Sequence, residues 1–307
     1  MKRLILFFLP LWLLADAHIF VMHRVNDFRY PTTNISSKLL QKDIKYLLKN
    51  NYKIVTLSTL VKRIKHKQNI DKYVVFTIDD SFKSFYKNGL PIFKKYKIPF
   101  TLFVYTQATT ERYGDYMSWG EVKECKKYGE LGVHSWAHPH LAMLSNKAII
   151  KDTTKAIDAF KKYLGFVPDM YAYPYGEYNE RVKSIINKFF PIICNQNEGS
   201  VTLNTPLNDI DRIAITGDVN IAKKLKISHL NVKNLKIIKD KNTIKEINGY
   251  INKPEVEIYI TKMGWRWVKV KKGYFSFKPD FTLKKYRNRI IIRYNNKIDT
   301  KLILKEI

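Results

Sequence analysis

At 307 residues the chain is too long for one minimal domain and suits a large α/β domain joined to a smaller module. Its hydrophobic content of 45% is that of a globular protein with a buried core. A net charge of +28, from 55 Lys and Arg against 27 Asp and Glu, favours anionic surroundings such as nucleic acid, membrane surfaces or acidic cell-wall polymers. No basic block has the form of a nucleic-acid motif, however, and Lys, Asn and Ile are abundant throughout.

The first element is a leader. Met1-Lys2-Arg3 is a short positive region, Leu4 to Leu14 is apolar, and Ala15-Asp16-Ala17 fits an A-x-A cleavage site. Residues 1–17 therefore read as a signal peptide, with His18 as the first mature residue and a periplasmic or envelope-associated destination. The apolar run is too short to span a bilayer comfortably, and no later segment is long and apolar enough for a transmembrane helix. Two cysteines, Cys125 and Cys194, are no disulfide framework and read as buried thiols.

From 18 to about 222, strand and helix patterns alternate. Ile19-Phe20-Val21-Met22 is a short apolar strand, and Ser37 to Lys49 has helical periodicity behind a serine start signal. Tyr52–Leu57 and Tyr73–Ile78 read as strands, separated by a helix that Ser58 would cap and that runs to about Lys67. Phe82 to Tyr96 has a helical pattern interrupted by Gly89-Leu90-Pro91. Strands are expected at Phe100–Tyr105, Gly132–Val133, Met170–Tyr173 and Pro191–Asn195, and helices at Trp119–Tyr128, Ser145–Leu164 and Asn179–Lys188. Gly165 is placed to end the longest helix. Repeated βα units of this kind predict a distorted (β/α) barrel of about seven strands.

After about residue 222 the pattern becomes alternating and turn-rich, as in Val256–Ile260, Trp265–Val270 and Arg289–Tyr294. Residues 223–307 are predicted to form an all-β, sandwich-like module. From 230 onward it carries 20 Lys and Arg against 7 Asp and Glu, so it could touch anionic envelope polymers. Trp265, Trp267 and Tyr274 could stack on sugars, but sheet core is the expected role.

Two short segments carry chemistry. The strand Val74–Ile78 ends in Asp79-Asp80, and His134 and His138 lie four residues apart after the strand at Gly132-Val133. One carboxylate and two imidazoles form a divalent-metal ligand set that leaves positions open, while the spare carboxylate is a natural general base. Side chains alternate along a strand, so the two aspartates share a site only if the chain leaves the strand between them. Strand ends on one side of a βα-barrel line one site, which draws the pairs together. His140 and His66 read as surface residues.

Thr77-Ile78-Asp79-Asp80-Ser81 resembles the first motif of the polysaccharide deacetylases (carbohydrate esterase family 4), usually T-F-D-D-G. His134-Ser135-x-x-His138-Pro139 resembles the second, and Tyr171-Ala172-Tyr173-Pro174-Tyr175-Gly176 the third, with Ala172 where an Arg is usual. Met22-His23-Arg24-Val25 resembles the start of the circularly permuted, biofilm-type poly-N-acetylglucosamine deacetylases. The resemblance covers about residues 18–220 and leaves the module outside it.

It implies a metal-dependent hydrolase that removes N-acetyl groups from an N-acetylglucosamine polysaccharide and releases acetate. In that scheme Asp80, His134 and His138 bind the metal and Asp79 is the base. Tyr175 offers its backbone N–H to the oxyanion, and His23 is the acid, in preference to His229 in Ile227-Ser228-His229. Zinc is the default ion, with other divalent transition metals also suited. Ala172 removes the usual partner of the base, which Arg24 or Arg212 would have to replace. That loss also leaves open an impaired carbohydrate-binding protein on the same fold. Nucleic acid is not an expected partner.

Overall fold

The computed structural model of the chain describes residues 16–306. The expected leader lies outside the described residues except for Asp16 and Ala17. Both of these belong to the folded body. Ala17 exchanges backbone hydrogen bonds with Val201 (2.8 and 2.9 Å), and the Asp16 carboxylate accepts from Ser200 Oγ and from the His229 N–H.

Eight parallel strands build the body: β1 (His18–Met22), β2 (Lys53–Val55), β3 (Tyr73–Ile78), β4 (Thr101–Val104), β5 (Glu130–Val133), β6 (Met170–Ala172), β7 (Ile192–Cys194) and β8 (Ile213–Ala214). Seven follow one path, β8-β1-β3-β4-β5-β6-β7, while β2 pairs with the first half of β3 on the edge that β4 takes further along. The sheet curls into a half-barrel, as the βα alternation predicted. Its two edges are tied by the segment between them, where Ile210 bridges Cys194 and Ile213 pairs with Phe20.

These strands are apolar on both faces because both faces are covered. Phe20, Val74, Phe76, Leu102 and Tyr171 pack outward against the helices. Ile19, Val75, Phe103, Ala172 and Cys194 face inward, where Leu57, Leu60 and Ile64 of one helix plug the barrel floor. Both thiols are buried and unpaired, and burial pushes each up to about 12.

The helix Ser37–Lys49 starts as expected, with Ser36 Oγ accepting from the Leu39 N–H. The plug helix, Leu57–Lys65, is capped by Thr56 rather than Ser58, because Thr56 is the extended residue that meets the Thr59 N–H. The pattern at 82–96 resolves into a π-turn at Phe85–Gly89 followed by the α-helix Leu90–Tyr96. Pro91 falls in that helix's first turn, where no N–H is needed. A short helix at Thr106–Thr110 had no sequence signal. Gly165 (φ +75°) ends the helix Asn146–Leu164 as expected.

The C-terminal region forms two β-sheets, one of five strands and one of four, over a shared core that includes Ile244, Ile247, Ile258, Ile290 and Ile292. The aromatic expectation fails there. Trp267 is 68% exposed, and Trp265 lies on the surface beneath the Arg293 guanidinium at 3.9 Å. Alternation puts the isoleucines inward and these rings outward.

Candidate active site

Asp79 and Asp80 stand at the end of β3 but point different ways. Asp79 continues the inward row of Val75 and Thr77, and its N–H still bonds to Met22 O of β1 (3.0 Å). Asp80 and Ser81 then adopt left-handed backbone, φ +71° and +56°. Each such residue costs roughly 1–2 kcal/mol without a glycine. That turn swings the Asp80 carboxylate over the rim, so two adjacent carboxylates serve one site from different directions.

His134 follows β5 and is buried, with Nδ1 2.8 Å from Ala172 O at the end of β6. Since a carbonyl only accepts, Nδ1 carries the proton and Nε2 presents a lone pair. His138 arrives through a turn. Ser135 (φ +62°) and His138 (φ +52°) are left-handed, Ser135 Oγ accepts from the His138 N–H, and Asp152 accepts from the N–H groups of Trp136 and Ala137 (2.9 and 2.8 Å).

Asp80 Oδ1 lies 3.2 Å from His134 Nε2 and 3.1 Å from His138 Nε2. It is sealed from solvent yet takes no well-aligned hydrogen bond. With Nδ1 of His134 protonated, electron pairs on a carboxylate and an imidazole converge on one point, an arrangement a cation relieves. One ligand atom from each of the three residues lies within 4.8 Å of the others. The residues fit a divalent metal, and nitrogen with oxygen donors suits zinc and its transition-metal neighbours.

Asp79 has another partner. Arg212, from the strand edge beside β1, grips it with two parallel bonds: Nη1 to Oδ1 at 2.7 Å and Nη2 to Oδ2 at 2.8 Å. Nη1 also reaches Thr77 Oγ1 (3.1 Å), and Nε donates to Asn195 O (2.8 Å). Both side chains are wholly buried. Burial opposes the ionised Asp79, but Arg212 and His134 outweigh it and hold the carboxyl below its ordinary range. Of the two arginines, Arg212 therefore partners Asp79. Arg24 does not: it pairs with Asp27 (2.8 Å) and lies 3.5 Å above the Phe82 ring.

His23 follows β1 on the same rim. Its Nδ1 is buried without a partner, and burial pushes its pKa down against the pull of Asp80 and Asp79, which are close enough to act on its charge. His134 responds the other way. Burial disfavours its charged form, but Asp79 and Asp80 prevail and raise its pKa. The alternative acid, His229, lies in the C-terminal region, where Ser228-His229 pairs with Lys297-Ile298 and the His229 N–H is held by Asp16.

Tyr175 closes the ring of residues at the mouth. It is left-handed (φ +59°), with its side chain 4.4 Å from the His138 ring and stacked at 4.3 Å on His140. His140, read from the sequence as a surface residue, is partly exposed and also bonded to the buried Glu177 (2.6 Å). Arg287 of the C-terminal region donates to Tyr175 O and approaches Glu177 Oε1 at 3.4 Å. Glu177 and Arg287 had no motif to mark them. The proximity of His140 to the second motif was the one available signal.

Residues 66–189, which contain both aspartates, both histidines and Tyr175, match the family described as polysaccharide deacetylase. A poly-β-1,6-N-acetyl-D-glucosamine N-deacetylase of Staphylococcus aureus (strain MSSA476) is 30% identical over 199 residues, 60% of this chain and 69% of that one. The chain belongs to the polysaccharide deacetylase family. This is a family of metalloenzymes, in keeping with the Asp-His-His cluster. The deacetylase PplD of Streptococcus pyogenes superposes with a TM-score of 0.64 at 21% identity, covering 69% of this chain and 98% of its own. IcaB of Ammonifex degensii gives 0.59 at 23% identity, covering 66% and 93%. Both solved structures share the half-barrel fold of this deacetylase.

Proposed function

We propose that this deacetylase is a metal-dependent, exported enzyme that removes acetyl groups from N-acetylglucosamine units of a polysaccharide, acting in the periplasm or at the cell envelope. The observation that carries the reading is the pairing of an orphaned Asp80 oxygen, facing two imidazole nitrogens, with an ionised Asp79 gripped by Arg212.

Asp80, His134 and His138 would hold the ion, zinc by default. When bound, it supplies a Lewis acid for the acetamide carbonyl and the attacking water. Asp79 takes a proton from that water as its oxygen bonds to the carbonyl carbon. Arg212 keeps the carboxylate ionised and aimed, replacing the family's usual third-motif arginine. The Tyr175 N–H donates to the developing oxyanion, for which its left-handed backbone supports a fixed orientation. As the C–N bond breaks, His23 gives a proton to the leaving amine, a step worth about 10²–10⁴-fold. The products are acetate and a polymer with a free amine. The impaired, binding-only alternative rests on Ala172 and on the basic, aromatic module, and the buried Arg212–Asp79 pair weakens the first of these.

Residues 18–222 would then form the catalytic domain and 223–307 an accessory module, and the leader would end before Asp16, because Asp16 and Ala17 are bonded to Ser200, Val201 and His229 of the body. The S. aureus relative favours a β-1,6-linked substrate. Acetate release by zinc-loaded protein from β-1,6- and β-1,4-linked N-acetylglucosamine oligomers tests the reading. Release that stops on chelation is expected, while chelator-resistant release would overturn the metal dependence.

A further inference from the structure

The mouth of the site opens into a cavity of about 690 Å³ built by both parts of the chain. The barrel contributes His140, Tyr175 and Glu177, and the C-terminal sheets contribute Lys285, Tyr286, Arg287 and Arg289. The volume suits a small ligand or a short run of sugar units. One aromatic ring, Tyr175, separates it from His138 of the ligand cluster.

The charge inside is unbalanced. Glu177 is the one carboxylate in the lining, and His140 and Arg287 already engage it. Among the described residues Lys285 and Arg289 pair with no carboxylate, although both line the same wall. Arg287 and Arg289 stand two residues apart on the strand Arg287–Tyr294, so alternation aims both at the barrel mouth. Burial of Arg287 pushes its pKa down even with Glu177 beside it, as expected where cations crowd. Such a wall needs an anion, and the stacked His140 and Tyr175 rings give a flat face for a sugar.

We propose that this cavity is a substrate subsite for a sugar unit bearing a compact anionic group, a carboxylate or a phosphate, next to the unit being deacetylated. The C-terminal sheets thereby set the substrate class as an acidic acetylated polysaccharide. This rests on the reading of the neighbouring centre as a deacetylase. A corollary is that units already deacetylated, which are cationic, are repelled from the subsite.

The test compares three β-1,6-linked N-acetylglucosamine tetramers: unmodified, O-succinylated and O-phosphorylated. With zinc-loaded protein at low salt, kcat/KM is expected to be about tenfold or more higher for an acidic tetramer, the worth of one charge-assisted hydrogen bond. The better of the two acidic substrates identifies the group. The preference should shrink as ionic strength rises and in Lys285→Ala and Arg289→Ala, through KM more than kcat. Equal kcat/KM for all three would overturn the subsite. Should none release acetate, calorimetric binding of the same tetramers still decides. Tighter binding of an acidic tetramer sustains the subsite while the deacetylase reading falls, and equal affinities overturn it.

Discussion

The barrel rim and the C-terminal sheets meet at one cavity but contribute to it in different ways. The rim gathers strained backbone and buried charge into short segments after strands: Asp80, Ser81, Ser135, His138 and Tyr175 are all left-handed, and Asp79 with Arg212 forms a wholly buried ion pair. The sheets are regular, and what they offer are three cations on or beside one strand, Lys285, Arg287 and Arg289. Rim chemistry depends on local geometry that the adjoining residues enforce. The contribution of the sheets depends on docking alone, since nothing local distinguishes these three cations from the others in the region. Strain and buried charge are tolerated where function requires them, whereas surface charge acquires a role only through what packs against it.

Perturbing the rim should have the larger effects. Asp80→Ala removes the shared ligand and is expected to abolish both zinc uptake, read by elemental analysis, and acetate release. Arg212→Met leaves Asp79 buried without its partner and should cost about 3–5 kcal/mol of stability in denaturant titrations, with most turnover lost. Adding Asp79→Leu to that variant should restore stability without activity, which would separate the ion pair's structural cost from its catalytic use.

At the junction of the two regions, Asp211 is pushed up to about 7, first by burial, against the hydrogen bond from Asn195 and the charge of Lys301. Its folded pKa lies above the unfolded value, so the native state holds the proton more tightly. Stability contributed by the protonated form is therefore lost as pH rises from about 4 to about 7 and is level above. Asp211→Asn should flatten that slope, by an amount on the order of a few kcal/mol. Deleting Asp16 and Ala17 is the smallest of these changes. It strips the acceptor from Ser200 and the His229 N–H, for about 1–3 kcal/mol. No change in melting temperature would contradict the structural role given to that carboxylate.

The sequence made the barrel legible because its strands are apolar runs bounded by capped helices, and periodicity reports that pattern directly. The Asp-His-His cluster was legible for a similar reason: Asp79-Asp80 and His134/His138 are compact motifs at strand ends. Less legible was how they work. The left-handed turn at Asp80 and Ser81 carries no glycine to announce it, and the His pair is set by Asp152 and Ser135 and not by a helix. Arg212 could be named only as one of two alternatives, since its position follows from closure of the sheet at Ile210 and Ile213. Glu177 and Arg287 lay beyond local pattern altogether, being 110 residues apart in sequence and joined only by docking. The misread tryptophans belong here too: alternation shows that a ring faces one side of a sheet, but not which side is covered.

The most direct test is zinc content and acetate release measured together on wild-type protein and Asp79→Asn, with the N-acetylglucosamine oligomers as substrate. Zinc bound by both proteins, with turnover in the variant reduced about 10²–10⁴-fold, is the expected result. A variant that loses its metal would mean Asp79 is a ligand and not the base. One that keeps both metal and full activity would remove Asp79 from the reaction.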